Sequence, residues 1–291
     1  MSLSYYIKLV RVFFPIFLYS LFKANDNLKL SQGQIISIQA GSLSSKKSII
    51  PFGYNKLEIC QSTKRNKIYT LGEIITGEEL FSTNYFANIN ENKYCKNICN
   101  NGFKEDTINS IKKLIKREYY ANWYIDNLPA GLLIYDSINK KYNVDYFKGI
   151  PLGFLDKSSN KYYIYNHLQF HISINTIDKN KYNIVGFNIL PLSIEYNSND
   201  DKDCIFSKDN LEYPANKDIP KQELIVGNIT FKYDTIFEIS NITLKKRWNN
   251  YKKIQKSFRW AGLIYSNLLI IIFSIITFII FSKNVKEEID T

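Results

Sequence analysis

The rarest side chains of this sequence that can bind metals or carry out covalent chemistry are two histidines and four cysteines. His167 and His171 lie two alternations apart, so on an extended strand they face the same side with Gln169 between them. A histidine pair needs further ligands to hold a metal, and no HExxH or similar set accompanies it. The pair is therefore expected to pack across strands, and neither a catalytic nor a metal site is assigned. Cys60, Cys95, Cys99 and Cys204 form an even set, which in an exported domain suits two disulfides in any of three pairings. The Cys95–Cys99 spacing fits one helical turn or half of a metal site, but no second close pair completes a zinc set. Gly72-Glu73 and Gly77-Glu78-Glu79 place carboxylates together in a polar, turn-rich segment, where adjacent acids read as surface charge. Nucleophile elbow, phosphate loop and dinucleotide fingerprint are all missing from the sequence. The chain is not read as an enzyme, and no cofactor or small-molecule substrate is implied. Asn228-Ile-Thr230 and Asn241-Ile-Thr243 have the N-glycosylation acceptor pattern.

The scaffold for these residues is strand-rich. Apolar residues make up 45% of the chain, with 22 Tyr and 19 Phe, a composition that favours β-structure around a substantial core. Residues 162–174 alternate well: Tyr163, Tyr165, His167, Gln169 and His171 face one way, and Ile164, Leu168, Phe170, Ile172 and Ile174 the other, with Asn166 interrupting the apolar set. Further strands are expected over 35–39, 56–60, 131–135, 149–155, 182–192 and 229–239. A helix is expected over 104–122, where Ile108, Ile111, Leu114 and Ile115 share one face. Residues 200–220 read as a polar surface loop. The expected fold is mainly β, an antiparallel sandwich-like exported domain with at least one helix, followed by a single transmembrane α-helix.

The membrane segment is the clearest element. Residues 262–282 carry no charge and as a helix span roughly 30 Å, the thickness of a bilayer core. Trp260 stands just ahead of it, where an indole favours the interface. Near the N-terminus, Lys8 and Arg11 precede the shorter apolar run 12–22, which suits a secretory signal ending at Ala24 or a retained anchor. Phe22 fits the small-x-small cleavage rule poorly.

The net charge is +11, with basic residues spread along the chain and one dense run at 245–259. No zinc-finger spacing, recognition helix or RNA-reading motif accompanies that charge, so nucleic acid is excluded as a partner and membrane lipid is retained. Positive-inside logic alone would place the large domain in the cytosol. A preceding signal that commits the domain to export overrides it, and export is the stronger reading.

Several boxes carry a family resemblance. Pro51-Phe52-Gly53-Tyr54 leads to Cys60, and Leu71-Gly72-Glu73-Ile74-Ile75-Thr76-Gly77-Glu78-Glu79-Leu80 follows. Next come the Cys95–Cys99 stretch and Tyr119 to Pro129, which contains Asn122-Trp123 and Asp126-Asn127-Leu128-Pro129. The stretch 163–172 and the segment 229–251, with Arg247-Trp248 and Tyr251, complete the set. In these boxes the sequence resembles the N-terminal part of the nonaspanins, the nine-spanning membrane proteins of endosomes and Golgi, over residues 31–291. Physically, Asp126 to Pro129 reads as a helix end or turn, with Asp126 and Asn127 capping local backbone groups.

The resemblance implies a signal peptide or anchor at 1–24 and a lumenal domain at 25–243. The residues themselves read as a basic amphipathic juxtamembrane helix at 244–260, a transmembrane helix at 261–282 and a cytosolic tail at 283–291. The resemblance implies a trafficking or sorting factor of the Golgi–endosome system. The partners would be transmembrane cargo proteins or a polypeptide carrying the missing spans. The alternative is a single-span lumenal receptor, adhesion or accessory module without sorting activity. Nonaspanins continue through eight further spans. This sequence therefore reads as a shortened member, one piece of a split gene or an incomplete gene model, which puts a channel- or transporter-like role in doubt.

Overall fold

Alternating side chains with bulky apolar residues on every second position build the central strands. The computed structural model describes residues 29–48, 50–60, 79–136, 141–146, 149–196, 220–252 and 260–289. The expected signal segment, the Leu71–Gly77 box, most of the 200–220 loop and Cys204 lie outside these residues. The chain divides into two units, Met1–Arg247 and Trp248–Thr291.

In the first unit, sixteen short and long strands are described. The largest sheet runs β10 (Lys141–Asp145), β9 (Gly131–Asp136), β15 (Lys181–Leu192), β14 (His167–Asp178), β16 (Gly227–Ile239) and β5 (Lys93–Phe103), with β1 (Leu30–Ser31) beside the start of β15. A second sheet, β4 (Phe81–Asn88), β2 (Ile35–Ala40), β7 (Trp123–Ile125) and β8 (Leu128–Pro129), covers one of its faces. Smaller pairings join β11 (Ile150–Pro151), β6 (Tyr119–Ala121) and β3 (Ser44–Ser45), and the hairpin of β12 (Gly153–Asp156) with β13 (Lys161–Ile164). The expected mainly β, sandwich-like domain is present.

Most pairings are antiparallel, but the large sheet is mixed. β14 and β16 run parallel from His167↔Lys232 to Ile174↔Ile239, and β15 meets β9 in parallel at Asn188↔Gly131. The reason is connectivity. β14 and β15 form an antiparallel hairpin, so the chain leaves β15 at the end where β14 began. It then enters β16 on the other side of β14, running the same way.

The core between the sheets is aromatic. Tyr85 stands edge-on to Trp123, Phe170 and Tyr233 with ring centroids 5.1, 5.4 and 5.2 Å away. Such edge-to-face contacts add to the area these rings bury. Tyr233, fully buried, also stitches the sheets together: its hydroxyl donates to Phe86 O (3.0 Å) and accepts from Phe86 N (3.3 Å) on the edge strand β4.

Several elements differ from expectation. The strand expected at 56–60 is a 3₁₀ turn, Tyr54–Leu57, followed by Glu58 at φ 55° and Cys60 at φ 42°. Left-handed residues at both positions break extended pairing. The helix expected to reach Asn122 is α1 (Glu105–Lys116), which stops before left-handed Glu118 and gives way to β6. Its expected apolar face, Ile108, Ile111, Leu114 and Ile115, is buried. The run 162–174 divides into β13 and β14 because buried Asn166 turns to backbone partners. Its amide donates to Ile194 O (2.8 Å) and Thr230 O (2.9 Å), and its carbonyl accepts from Ile194 N (2.9 Å).

In the second unit, α2 (Trp260–Ile289) is continuous and contains Ile264–Val285, long and apolar enough to cross a membrane. It also runs through the residues expected to form a tail. Ser274 and Thr277 direct their hydroxyls to the carbonyls four residues back, at 2.8 and 2.7 Å, so neither needs a partner from lipid. The basic juxtamembrane helix expected to begin at Leu244 is instead a 3₁₀ turn, Leu244–Lys246, and a single helical turn, Asn249–Lys252. Residues 253–259 lie outside the described residues.

Candidate functional site

Two buried polar constellations distinguish the first unit. The first grows from the Asp126-Asn127-Leu128-Pro129 box. Ile125 pairs with Leu128 across a two-residue loop, and Asp126 and Asn127 adopt φ 48° and 58°. Positive φ at both central positions is the turn that matches strand twist, and Asp and Asn tolerate it better than other non-glycine residues. Pro129 falls on β8, the edge of its sheet, where a missing N–H breaks no ladder. The box is thus a tight hairpin, and the Asp126 side chain does not serve as a local cap. Its carboxylate holds Arg247 Nη1 at 2.9 Å, and the same nitrogen donates to Ile184 O at 3.4 Å. This anchor fixes Arg247, the residue that follows the 3₁₀ turn Leu244–Lys246, to the hairpin.

Trp123, in the same box, points into the aromatic core, and the Asn122 amide donates to Ser42 O at 3.3 Å. Trp248 is 40% exposed and lies against Tyr251 within the second unit.

The Arg247–Asp126 pair is only 13% and 23% exposed, so screening by solvent is partial. Arg247→Ala is expected to cost about 1–3 kcal/mol, since it leaves a half-buried carboxylate without its charge-assisted bond. In a double-mutant cycle with Asp126→Ala, measured by chemical unfolding, the coupling energy is expected to be about 1–2 kcal/mol. Strict additivity would show that the pair contributes nothing.

The second constellation lies on the other face of β14, facing away from the aromatic core. His167 and Asp234 have fully buried side chains and meet at Nε2–Oδ2 2.9 Å. Asp234 also accepts from the Cys95 amide (2.6 Å) and from Gln169 Nε2 (3.3 Å). Tyr196 Oη stands 2.5 Å from His167 Nδ1, and Lys232 Nζ lies 4.5 Å above the Tyr196 ring. His171 Nε2 meets Gln169 Oε1 at 2.9 Å, and its Nδ1 lies 3.6 Å from Glu238. The expected sharing of a face by His167, Gln169 and His171 is present, and Lys232 and Asp234 of the neighbouring β16 share that face with them, in contact with Tyr196. Asp234, Tyr196 and Lys232 were not singled out from the sequence, because isolated polar residues on a strand give no sign of a partner many residues away.

A hydroxyl, an imidazole and a carboxylate in line have the order of a nucleophile, base and orienter. The electrostatics oppose that use. Burial, and then the Asp234 charge, push the Tyr196 phenol well above its ordinary value, whereas an activated nucleophile needs the opposite shift. His167 and Asp234 have no access to solvent. Tyr85 is also raised, by burial first and by neighbouring Tyr54 and Tyr233. Because these folded values lie above the unfolded value near 10.0, the stability tied to the neutral phenols is complete below pH 10 and is lost as pH rises beyond it. Alkaline titration followed at 295 nm is therefore expected to show these two tyrosines ionising only as the fold is lost, together with the far-ultraviolet dichroism. Their ionisation with full secondary structure retained would contradict the burial.

The cysteines are placed apart from any metal set. Cys60 and Cys99 form a disulfide with Cα atoms 5.7 Å apart, tying the turn after Leu57 to strand β5. Cys95, on the same strand, is disulfide-bonded as well. Among the described residues no group of three or more His, Cys, Asp or Glu is arranged to hold a metal. An apolar cavity of about 40 Å³ lies among Tyr54, Ile59, Tyr85, Trp123, Leu168 and Phe231, room for a methyl group and far below the size of a ligand site. Asn228 and Asn241 are both exposed.

The sequence is similar to several curated proteins. It is 26% identical over 285 residues to mouse "Transmembrane 9 superfamily member 4", covering 90% of this chain and 43% of that protein. It is 27% identical over 265 residues to "Transmembrane 9 superfamily member 3" of Saccharomyces cerevisiae, covering 87% and 36%. With "Transmembrane 9 superfamily member 10" of Arabidopsis thaliana it shares 26% identity over 270 residues, covering 88% and 42%. The chain spans less than half the length of these curated relatives. A large domain ahead of one apolar helix matches the arrangement of a membrane protein with a lumenal domain. The family described as "Endomembrane protein 70" matches residues 51–291, and with that match covering most of its length this chain belongs to that family, the non-catalytic nonaspanins.

Proposed function

We propose that this chain is a membrane-anchored trafficking factor of the Golgi–endosome system that assists the localisation of transmembrane cargo proteins. Membership in the Endomembrane protein 70 family carries this reading. The Asp126–Arg247 anchor supports it, because it links a family box in the domain core to the residue from which the chain proceeds toward the apolar helix. In this reading the first unit is lumenal, its cysteines are paired in an oxidising compartment, and the exposed Asn228 and Asn241 are glycosylated. Its partners are membrane lipid and either cargo spans or a polypeptide carrying further nonaspanin spans.

Three measurements test the proposal together. In intact vesicles, the domain is expected to resist added protease while a tag at Thr291 is removed. Asn228→Gln and Asn241→Gln are each expected to abolish one endoglycosidase-sensitive mobility shift. Depleting the protein is then expected to redistribute a subset of membrane proteins away from their compartment. A domain digested from outside would overturn the lumenal assignment. Unchanged distributions across the membrane proteome would overturn the sorting role and favour an accessory module.

A further inference from the structure

The two sides of α2 differ in chemistry within its membrane-crossing part. Asn267, Ser274 and Phe281 stand seven residues apart, and Ile270, Thr277 and Asn284 repeat the same interval three residues later. A seven-residue step on a straight helix drifts by only about 20°, so these positions follow one seam, the a and d positions of a heptad repeat. The opposite side, Leu269, Ile272, Ile276 and Ile279, is aliphatic throughout.

The seam is polar and indented. Ser274 Oγ and Thr277 Oγ1 donate to the carbonyls of Ile270 and Phe273, so both hydroxyls are satisfied within the helix. Asn267 differs. Its carboxamide offers two donors and an acceptor, and among the described residues no hydrogen bond reaches it. Around the short Ser274 and Thr277, a concavity of about 600 Å³ is lined by Ile270, Phe273, Phe278 and Phe281.

We propose that two copies of this chain associate in the bilayer through α2, parallel and in register along this seam. Copies inserted alike cross the membrane in the same sense, so the pair is parallel. The occupant is a second copy because every layer of the seam matches itself. Asn267 and Asn284 each meet their own counterpart, carboxamide donor to carboxamide acceptor in both directions. Ser274 and Thr277 set short side chains against short ones, which lets the backbones approach, and the flanking Phe rings of each helix fill the concavity of the other. An Asn at an a position sets register and copy number in parallel coiled coils. In lipid, where apolar side chains gain nothing by leaving acyl tails for each other, such polar and small-residue contacts are what hold helices together. The aliphatic side is left to the lipid. The inference rests on α2 crossing a bilayer and is independent of the sorting role and of how the large domain is placed.

The test uses the full chain reconstituted in phosphatidylcholine vesicles. Ser274→Cys and Ile276→Cys are oxidised with copper phenanthroline, with the parent chain as blank, and dimers are read on non-reducing gels. Position 274 is expected to cross-link several-fold more than position 276, which lies on the aliphatic side. Energy transfer between donor- and acceptor-labelled tags at Thr291, followed as lipid is added, reads the affinity. Asn267→Leu is expected to weaken pairing roughly 3- to 30-fold, and Asn267→Gln, which keeps a carboxamide, by less. Equal cross-linking at 274 and 276, or more at 276, overturns the proposal. Pairing that Asn267→Leu leaves unchanged overturns the register. A chain that is monomeric at every lipid dilution overturns the second copy as occupant and leaves the seam to the span of another protein. Vesicle flotation after carbonate extraction reads insertion separately. A chain that does not float refutes the membrane span itself, whereas one that floats as a monomer refutes only the pairing.

Discussion

Asp234→Ala is expected to lower the stability of the domain by about 3–5 kcal/mol, the cost of opening a fully buried pair by removing one partner. Asp234 receives the imidazole of His167, the Gln169 amide and the Cys95 backbone N–H, and all three lose their acceptor at once. Alanine leaves a space in which none of these donors meets solvent. Asp234→Asn keeps the shape and one acceptor oxygen, and His167 can change tautomer to accept from the new amide, so a smaller loss of about 1–2 kcal/mol is expected. The reciprocal change, His167→Leu, strips the carboxylate of its strongest donor and should rank with alanine at 234. Thermal unfolding of the purified full chain in detergent reads the series. At about 2–4 °C per kcal/mol, alanine should move Tm down by roughly 10 °C. An alanine variant within 1 °C of the parent would show that the network is incidental to stability.

Trp123→Ala should cost a comparable amount, about 3–5 kcal/mol, for the different reason that it empties the junction between the two sheets. Trp123 is 4% exposed and lies edge-on to Tyr54 at 5.4 Å and Tyr85 at 5.1 Å, with Phe170 at 6.2 Å behind them. Removing the indole enlarges a cavity that already exists beside it. Tyr85 cannot simply move in, because it is held against Phe170 and Tyr233, and the Tyr233 hydroxyl is committed to the Phe86 backbone. Trp123→Phe keeps an edge-on ring and should lose about half as much. Chemical unfolding of the two variants beside the parent decides the matter: equal stability of the alanine and phenylalanine variants would mean that the junction collapses freely. The two expectations differ in signature, since the Asp234 loss is rescued by a polar isostere and the Trp123 loss only by volume.

The sequence by itself determined the elements whose patterns are local. The helical spacing of Ile108, Ile111, Leu114 and Ile115 placed the buried face of α1, because a 3.6-residue period is a property of one segment. Alternation placed β14, and the uncharged stretch from Gly262 to Ser282 placed the membrane-crossing part of α2, for the same reason. Motif boxes carried the family, since several spaced residue sets together are far more specific than composition. β4 and β5 were not legible. β4 buries Thr83, Tyr85 and Ala87 on one face, a mixture of polarities without a clean alternation. β5 is an edge strand rich in Asn and Lys that buries little.

Only the tertiary structure decided which distant residues meet. It set β16 parallel to β14, joined Cys60 to Cys99, and brought Asp234 to His167 and Arg247 to Asp126. In each case the deciding quantity is the route of the chain over tens of residues, and a polar side chain carries no mark of which distant partner will satisfy it until burial removes water as the alternative.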